Sequence, residues 1–220
     1  MPLSSPSASE PEVERIARIY DQLAPTWNER EARGERMLLG AAWRPRLASL
    51  LAGDVLEIGT GTGPTLRELA RNPGQVRSFT GIDLSAGMLA RARQEARACP
   101  FPVRLEQMDA SDLSAFPDDR FDTVTASLVL CTVPDPARTL REMARVCRPS
   151  GRVVLLEHVL APNRLVAWLM RRLAPLQVRH MGCHIDRRTD QLVRELGCAV
   201  ERDETRVLDI FRLMVLRPPA

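Results

Sequence analysis

The chain has 220 residues, 45% of them apolar, which suits one domain with a sizeable core. Its 31 basic and 28 acidic residues leave a net charge of +3, too small for a protein whose main task is to wrap a nucleic-acid backbone. Every basic residue is Arg and none is Lys, which excludes a Schiff-base lysine, a pyridoxal anchor and a Walker-type phosphate loop.

Residues 1–12 are rich in Ser and Pro, with neither a basic start nor an apolar segment, and read as a disordered leader rather than a signal peptide. A single domain is expected over 13–220. Between about 10 and 51 the apolar residues recur at helical spacing, as in Val13, Ile16, Ala17 and Tyr20 and then Met37, Leu38, Ala41 and Ala42, with a break near Pro25. Two or three helices forming an N-terminal cap over 13–51 are predicted. The pattern then changes to strands at 54–58, 78–82, 103–107, 122–126 and 152–157. Helices are predicted between them at 67–71, 86–98 and 136–147, the last opened by Asp135. Short apolar strands alternating with helices imply a parallel sheet covered on both faces.

Beyond this core over 54–157 the alternation lapses. Segments 163–173 and 188–196 read as helices, grouped as lid helices over 163–196, and 207–216 as one or two terminal strands. No stretch reaches the roughly 18 apolar residues of a membrane-spanning helix, 123–134 coming nearest. The five cysteines are odd in number and form no C-x-x-C pair, so reduced thiols in a cytoplasmic protein are expected.

The most informative stretch is Val55-Leu56-Glu57-Ile58-Gly59-Thr60-Gly61-Thr62-Gly63-Pro64, a strand entering a glycine-rich turn before a helix. Its glycines let the backbone turn tightly and approach a ligand, while the helix start offers free N–H groups. Pro64 suits a first helical turn but stands where the dinucleotide fingerprint needs its third glycine, which speaks against an NAD-dependent oxidoreductase. Asp83 ends the second strand, where a carboxylate can accept both hydroxyls of a ribose, and Asp109 follows the third. Three successive strand ends thus carry polar, ligand-facing groups along the edge where open α/β sheets bind ligands.

The motifs E-x-G-x-G-x-G at 57–63, G-I-D-x-S-x-x-M-L at 81–89 and D-A at 109–110 resemble class I S-adenosylmethionine-dependent methyltransferases. The resemblance implies a doubly wound, Rossmann-like α/β sheet of seven mostly parallel strands with N-terminal helices and one antiparallel strand in the last pair. It implies S-adenosyl-L-methionine as cofactor and S-adenosyl-L-homocysteine as product. By that resemblance Gly59, Thr60 and Gly61 hold the methionine part, Asp83 the ribose hydroxyls, and Leu84 and Met88 pack on adenine, whose amino group donates to Asp109. Tyr20, Glu57, Ala110 and Ser127 complete the implied cofactor set.

Further elements bear on the acceptor. L-V-L-C-T-V at 128–133, L-E-H-V at 156–159 and G-C-H at 182–184 resemble enzymes that alkylate small lipophilic thiols. Y-D-x-x-A-P-x-W-N at 20–28 is similar to quinone and phospholipid-amine enzymes, with Trp27 in place of their usual second tyrosine. The expected activity is methyl transfer to a small lipophilic or amphipathic thiol, amine, phenol or quinol. The alternatives are a phospholipid headgroup N-methyltransferase at a membrane surface and a non-catalytic binding module on the same fold.

Methyl transfer to a protonated heteroatom needs a base near neutral pH, so His158 and then His184 are the candidates, with Tyr20 as a hydrogen-bond donor or cover. Each also has a plain structural reading: His158 as the residue fixing a turn, His184 as a loop residue and Tyr20 as partly buried core. His180, Cys183 and His184 have the softness and spacing of metal ligands, yet no fourth ligand is marked out and no metal is expected. Cys131, in an apolar stretch, reads as a small buried hydrophobe.

Over 163–188, Arg164, Arg171, Arg172, Arg179, Arg187 and Arg188 face a single acid, Asp186. Leu165, Trp168, Leu169, Leu173 and Leu176 recur beside them at helical spacing. That pattern fits first a helix packed on the sheet as a lid over the acceptor, and second a helix lying on an anionic membrane surface.

Overall fold

Val55, Leu56 and Ile58 have no exposed surface, and the strand that carries them becomes the middle of the sheet. The computed structural model describes residues 11–28 and 42–219. Their elements in chain order are α1 (Glu12–Leu23), α2 (Trp43–Ala48), β1 (Ala52–Ile58), α3 (Pro64–Arg71), β2 (Gln75–Asp83), α4 (Ala86–Ala96) and β3 (Val103–Gln107). Then follow β4 (Phe121–Ser127), α5 (Pro136–Val146), β5 (Cys147–His158), α6 (Arg164–Met181), α7 (Thr189–Glu195), β6 (Ala199–Arg206) and β7 (Phe211–Arg217). Of the sequence expectations, the first ten residues of the leader read over 1–12 and the helical residues Met37, Leu38 and Ala41 lie outside the described residues, whereas Pro11 caps α1 and Glu12 begins it.

The strands form one seven-stranded sheet in the order β3-β2-β1-β4-β5-β7-β6. β3, β2, β1, β4 and β5 pair in parallel, whereas β7 runs antiparallel to both β5 and β6. From β1 the chain winds outward through β2 and β3, then returns to β4 and winds the other way. The crevice beyond the ends of β1 and β4 is therefore the topological switch point.

Period-two alternation divides the strand side chains between two cores. Leu56, Val153 and Leu155 join Leu140, Met143 and Val193 on one face, beneath α5 and α7. Val55, Val154 and Leu156 meet Leu47, Leu66 and Phe79 on the other, beneath α2 and α3. A third cluster, Ile19, Leu23, Ala24 and Met88 with Met181 packed on it, ties α1 to α4 and α6.

The helix and strand starts follow local chemistry. Pro64 begins α3 directly after Gly63, whose φ of 82° is left-handed. The Asp135 carboxylate accepts from the Arg138 N–H at 2.9 Å and opens α5. Two readings need correction. The helix read over 163–173 continues to Met181 through Pro175, with Asn163 capping its start and Gly182 (φ 65°) its end. The terminal hairpin begins at Ala199, and residues 207–210 form its turn, with Val207, Leu208 and Asp209 at positive φ. The charged run Glu201-Arg202-Asp203-Glu204 hid β6, an edge strand exposed along nearly its whole length.

Candidate active site

The glycine turn after β1 is shaped by contacts that only glycine permits. Gly59 sits at φ 61°, and a Cβ built there would lie 2.4 Å from Val129 Cγ2. Gly61, at φ 56°, has nothing nearer than 4.0 Å where its Cβ would be, so its bare face looks into open space. The Thr60 N–H donates to the Ile82 carbonyl at 2.9 Å, stitching the turn to β2.

Glu57 lies beneath this turn, 2% exposed. It accepts from the hydroxyls of Thr60 and Thr65, both at 2.6 Å. Burial raises its pKa to about 7 against the lowering effect of those hydroxyls and of the Arg44 charge. Arg44, buried in α2, donates to Ser127 Oγ at 2.9 Å and so joins the turn to the end of β4.

At the end of β2, Asp83 Oδ2 accepts from the Gly61 N–H at 2.8 Å and Oδ1 from the Ser85 N–H at 2.9 Å. Burial lifts this carboxyl to about 6, opposed by those N–H groups. α1 is fastened alongside: Asp21 Oδ1 accepts from Ser85 Oγ at 2.5 Å and from the Gly87 N–H at 2.8 Å. Tyr20 and Trp27 meet edge to face, with ring centroids 5.4 Å apart.

These groups surround a cavity of about 450 Å³. One part is lined by Glu57, Gly59, Thr60, Gly61, Asp83 and Leu84, with Met88, Met108 and Ala110 beyond. The other is bounded by Ile16, Met170, Met181, Ile185, Ile210 and Phe211. Its polar lining includes Cys131, Thr132, His158, Gln177 and Cys183.

Cys131, His158 and Cys183 come from three separate segments. His158 ends β5, Cys183 follows α6, and Cys131 lies in the loop after β4; His158 Nε2 is 3.3 Å from Cys183 Sγ. Glu157, fully buried, holds the loop by accepting from the Val129 and Leu130 N–H groups at 2.8 and 2.9 Å. Burial raises Glu157 to about 7. Burial works against protonation of His158, yet the hydrogen bond and charge of Cys183 hold it above the usual histidine range. Hydrogen bonds from Cys131 and His158 draw Cys183 below the usual thiol range, while Cys131 is pushed up.

Of the residues singled out in the sequence, Tyr20, Glu57, Gly59, Thr60, Gly61, Asp83, Leu84, Met88, Ala110, Ser127 and His158 all line the cavity. Asp109 does not; its Oδ1 accepts from the Ser111 N–H at 2.8 Å and shapes the turn after β3. His184 is also off the lining, and its N–H donates to the Cys131 carbonyl at 2.8 Å. Arg187 leaves the predicted surface patch, donating to the Leu130 and Val133 carbonyls at 2.5 and 2.7 Å. Sequence reasoning missed Arg44, the tie from Asp21 to the start of α4, and the meeting of Cys131 with Cys183. No spacing rule marks any of them, because each acts across segments remote in the chain.

A doubly wound sheet with a glycine turn and a strand-end carboxylate at its switch point defines the class of α/β domains that hold a nucleoside cofactor over the strand ends. A family model described as a methyltransferase domain matches residues 56–155. The 2-phytyl-1,4-naphtoquinone methyltransferase of Synechococcus elongatus is 30% identical over 207 residues, covering 91% of this chain and 80% of that protein. A phosphatidylethanolamine N-methyltransferase of Cereibacter sphaeroides is 42% identical over 136 residues, 61% of this chain. The match spans 64% of that relative's length, just under two thirds. Among solved structures, geranyl diphosphate C-methyltransferase from Streptomyces coelicolor A3(2), in complex with S-adenosyl-L-homocysteine, shares the fold at 16% identity, with a TM-score of 0.71 over 97% of this chain and 100% of that one. The chain belongs to the S-adenosylmethionine-dependent methyltransferases.

The residues present fit that family's cofactor. The bare face of Gly61 leaves room at the turn. Thr62 Oγ1 is a buried hydroxyl on the cavity wall with no partner among the described residues. Each Asp83 oxygen accepts one N–H and retains a lone pair for a ribose hydroxyl.

Proposed function

We propose that this protein transfers the methyl group of S-adenosylmethionine to a small lipophilic or amphipathic acceptor carrying a thiol, amine, phenol or quinol. One observation carries the reading: a single cavity joins the glycine turn and Asp83 to a largely apolar compartment whose polar lining includes Cys131, His158 and Cys183. The cofactor supplies an electrophilic methyl on a sulfonium. Gly59, Thr60 and Gly61 hold its amino-acid part, Asp83 orients its ribose, and Leu84, Met88 and Met108 exclude water from its base. Ile16, Met170, Met181 and Phe211 hold the acceptor's apolar body, and its heteroatom lies at the His158 edge, where its proton leaves. Tyr20 and Trp27 cover the site from α1. Holding the two reactants in line is the main contribution such a site makes to rate.

Transfer of labelled methyl to a panel of alkyl and aryl thiols, quinols and phosphatidylethanolamine vesicles tests this. Turnover of at least one lipophilic class is expected. Turnover confined to proteins or nucleic acids would overturn the acceptor reading, and cofactor binding with no turnover would favour a non-catalytic module. Turnover of phosphatidylethanolamine alone would select the headgroup N-methyltransferase.

We further propose that α6 brings the acceptor in from an anionic membrane surface. No helix among the described residues is long and apolar enough to cross a membrane. α6 nevertheless exposes Leu165 (74%), Trp168 (56%), Leu169 (50%), Leu173 (45%) and Leu176 (57%), next to the exposed Arg164, Arg171 and Arg172. Its other face carries Met170, Gln177 and Met181 to the cavity. An apolar stripe flanked by cations suits the headgroup boundary of anionic lipid. Sedimentation with anionic vesicles is therefore expected, weakened at least about tenfold in Leu165→Ser/Trp168→Ser, which removes two large apolar anchors. Equal partition of wild type and variant, or equal affinity for neutral vesicles, would refute this role for α6.

A further inference from the structure

We propose that Cys131, His158 and Cys183 form a binding site for a zinc-class cation, with one coordination position open to the acceptor cavity. The Sγ atoms of the two cysteines and a ring nitrogen of the histidine all lie within 4.8 Å of one another. The one contact resolved in detail, Nε2 of His158 to Sγ of Cys183, is 3.3 Å. A tetrahedral zinc, with bonds of about 2.3 Å to sulfur and 2.0–2.1 Å to nitrogen, sets those two atoms roughly 3.5 Å apart. The described geometry needs only small adjustments to receive the ion.

The donor set is chemically selective. Two thiolates and an imidazole favour zinc over magnesium or calcium, which take oxygen ligands. Two thiolate charges neutralise a divalent cation, so the loaded site is uncharged, as an apolar compartment requires. Structural zinc sites close with four protein ligands, whereas three ligands with an open fourth position are typical of catalytic ones. All three residues line the cavity, so the open position faces the acceptor compartment and takes water or the acceptor's heteroatom.

The supports of this cluster are those expected of ligands held in place before the metal arrives. Glu157 clamps the loop carrying Cys131 through two N–H groups. The His184 N–H donates to the Cys131 carbonyl, and Arg187 grips the carbonyls of Leu130 and Val133 on either side of it. Gly182, in the left-handed conformation at the end of α6, turns the chain so that Cys183 enters the cavity. The spacing of His180, Cys183 and His184 suggested a local metal motif, but Cys183 draws its partners from two other segments of the fold.

The test uses the full-length protein, reduced and stripped of metal, titrated with zinc chloride and separately with cobalt chloride. One equivalent of either ion is expected to bind, and the cobalt form should show tetrahedral ligand-field bands with thiolate charge transfer. Adding a small alkyl thiol should shift those bands, reporting the open position. Cys131→Ser, His158→Ala and Cys183→Ser should each weaken zinc binding more than about 100-fold, beyond what losing an outer-shell partner costs. Cys198→Ser, outside the cluster, should bind as wild type does. Where a variant folds poorly, the wild type decides alone: zinc must raise its melting temperature and a chelator must reverse the rise. No stoichiometric binding, a cobalt spectrum without thiolate bands, or binding unchanged in all three variants would overturn the site.

Discussion

Asp83→Ala is expected to lose at least about 100-fold in affinity for S-adenosylmethionine. The carboxylate accepts one N–H on each oxygen and has capacity left for two ribose hydroxyls. Two charge-assisted hydrogen bonds at about 1.5–3 kcal/mol each amount to a factor of roughly 100 or more. The same group predicts a pH dependence. Its pKa is raised to about 6 by burial, and only the ionised form accepts from both hydroxyls. Affinity is therefore full about a pH unit or more above that value and falls as the pH drops through it. The slope disappears in Asp83→Ala. Calorimetric titration of both proteins between pH 5 and 8 reads the two effects together. Undiminished affinity in the variant would remove Asp83 from the cofactor site, and a melting curve distinguishes that result from a loss of fold.

A second large effect is expected at Gly59. Substitution by alanine forces an L-residue to remain at φ 61° and places a methyl 2.4 Å from Val129 Cγ2. The backbone strain costs about 1–2 kcal/mol and the overpacking about 1–3 more. For a chain of this size the melting temperature should fall by roughly 4–20 °C. Cofactor affinity should fall with it, because the turn must move away from Val129. Gly74→Ala is the matched control: its φ is 53°, but nothing lies within 4 Å of the added carbon. It should show the strain without the clash, a loss of about 1–2 kcal/mol, and unchanged cofactor binding. Equal effects of the two substitutions would mean that the contact with Val129 does not fix the turn.

The parts of the molecule legible in the sequence are those whose chemistry is local. The glycine turn, Asp83 and the alternation of short strands with helices are written in consecutive residues, and β3 was read at its observed bounds, Val103–Gln107. Asp135 announced α5 because a cap acts on an amide three residues away. Pro175 concealed the second half of α6, since proline usually ends a helix and here lies inside one. Asp109 illustrates a related point: a carboxylate after a strand can face a ligand, close its own turn, or do both with its two oxygens, and its Oδ1 closes the turn here. The cysteine and histidine cluster of the cavity was the least legible part. Cys131, His158 and Cys183 are separated by 27 and 25 residues, and their meeting depends on sheet order and on the direction in which α6 returns.

The charges that hid β6 from sequence reading also govern how molecules of this protein meet. A strand at the rim of a sheet offers unpaired N–H and C=O groups to any neighbouring chain. Here that rim carries Glu201, Arg202, Asp203, Glu204 and Arg206, with Glu201 and Asp203 already paired to Arg217 and Arg212 on β7. A second sheet aligning there would have to strip water from those charges, and β3 at the opposite rim exposes Arg104 beside the half-buried Glu106. Charge at both rims thus disfavours strand addition. The large apolar side chains exposed on α6 therefore lie in a molecule whose sheet rims carry charge and offer other copies little to extend.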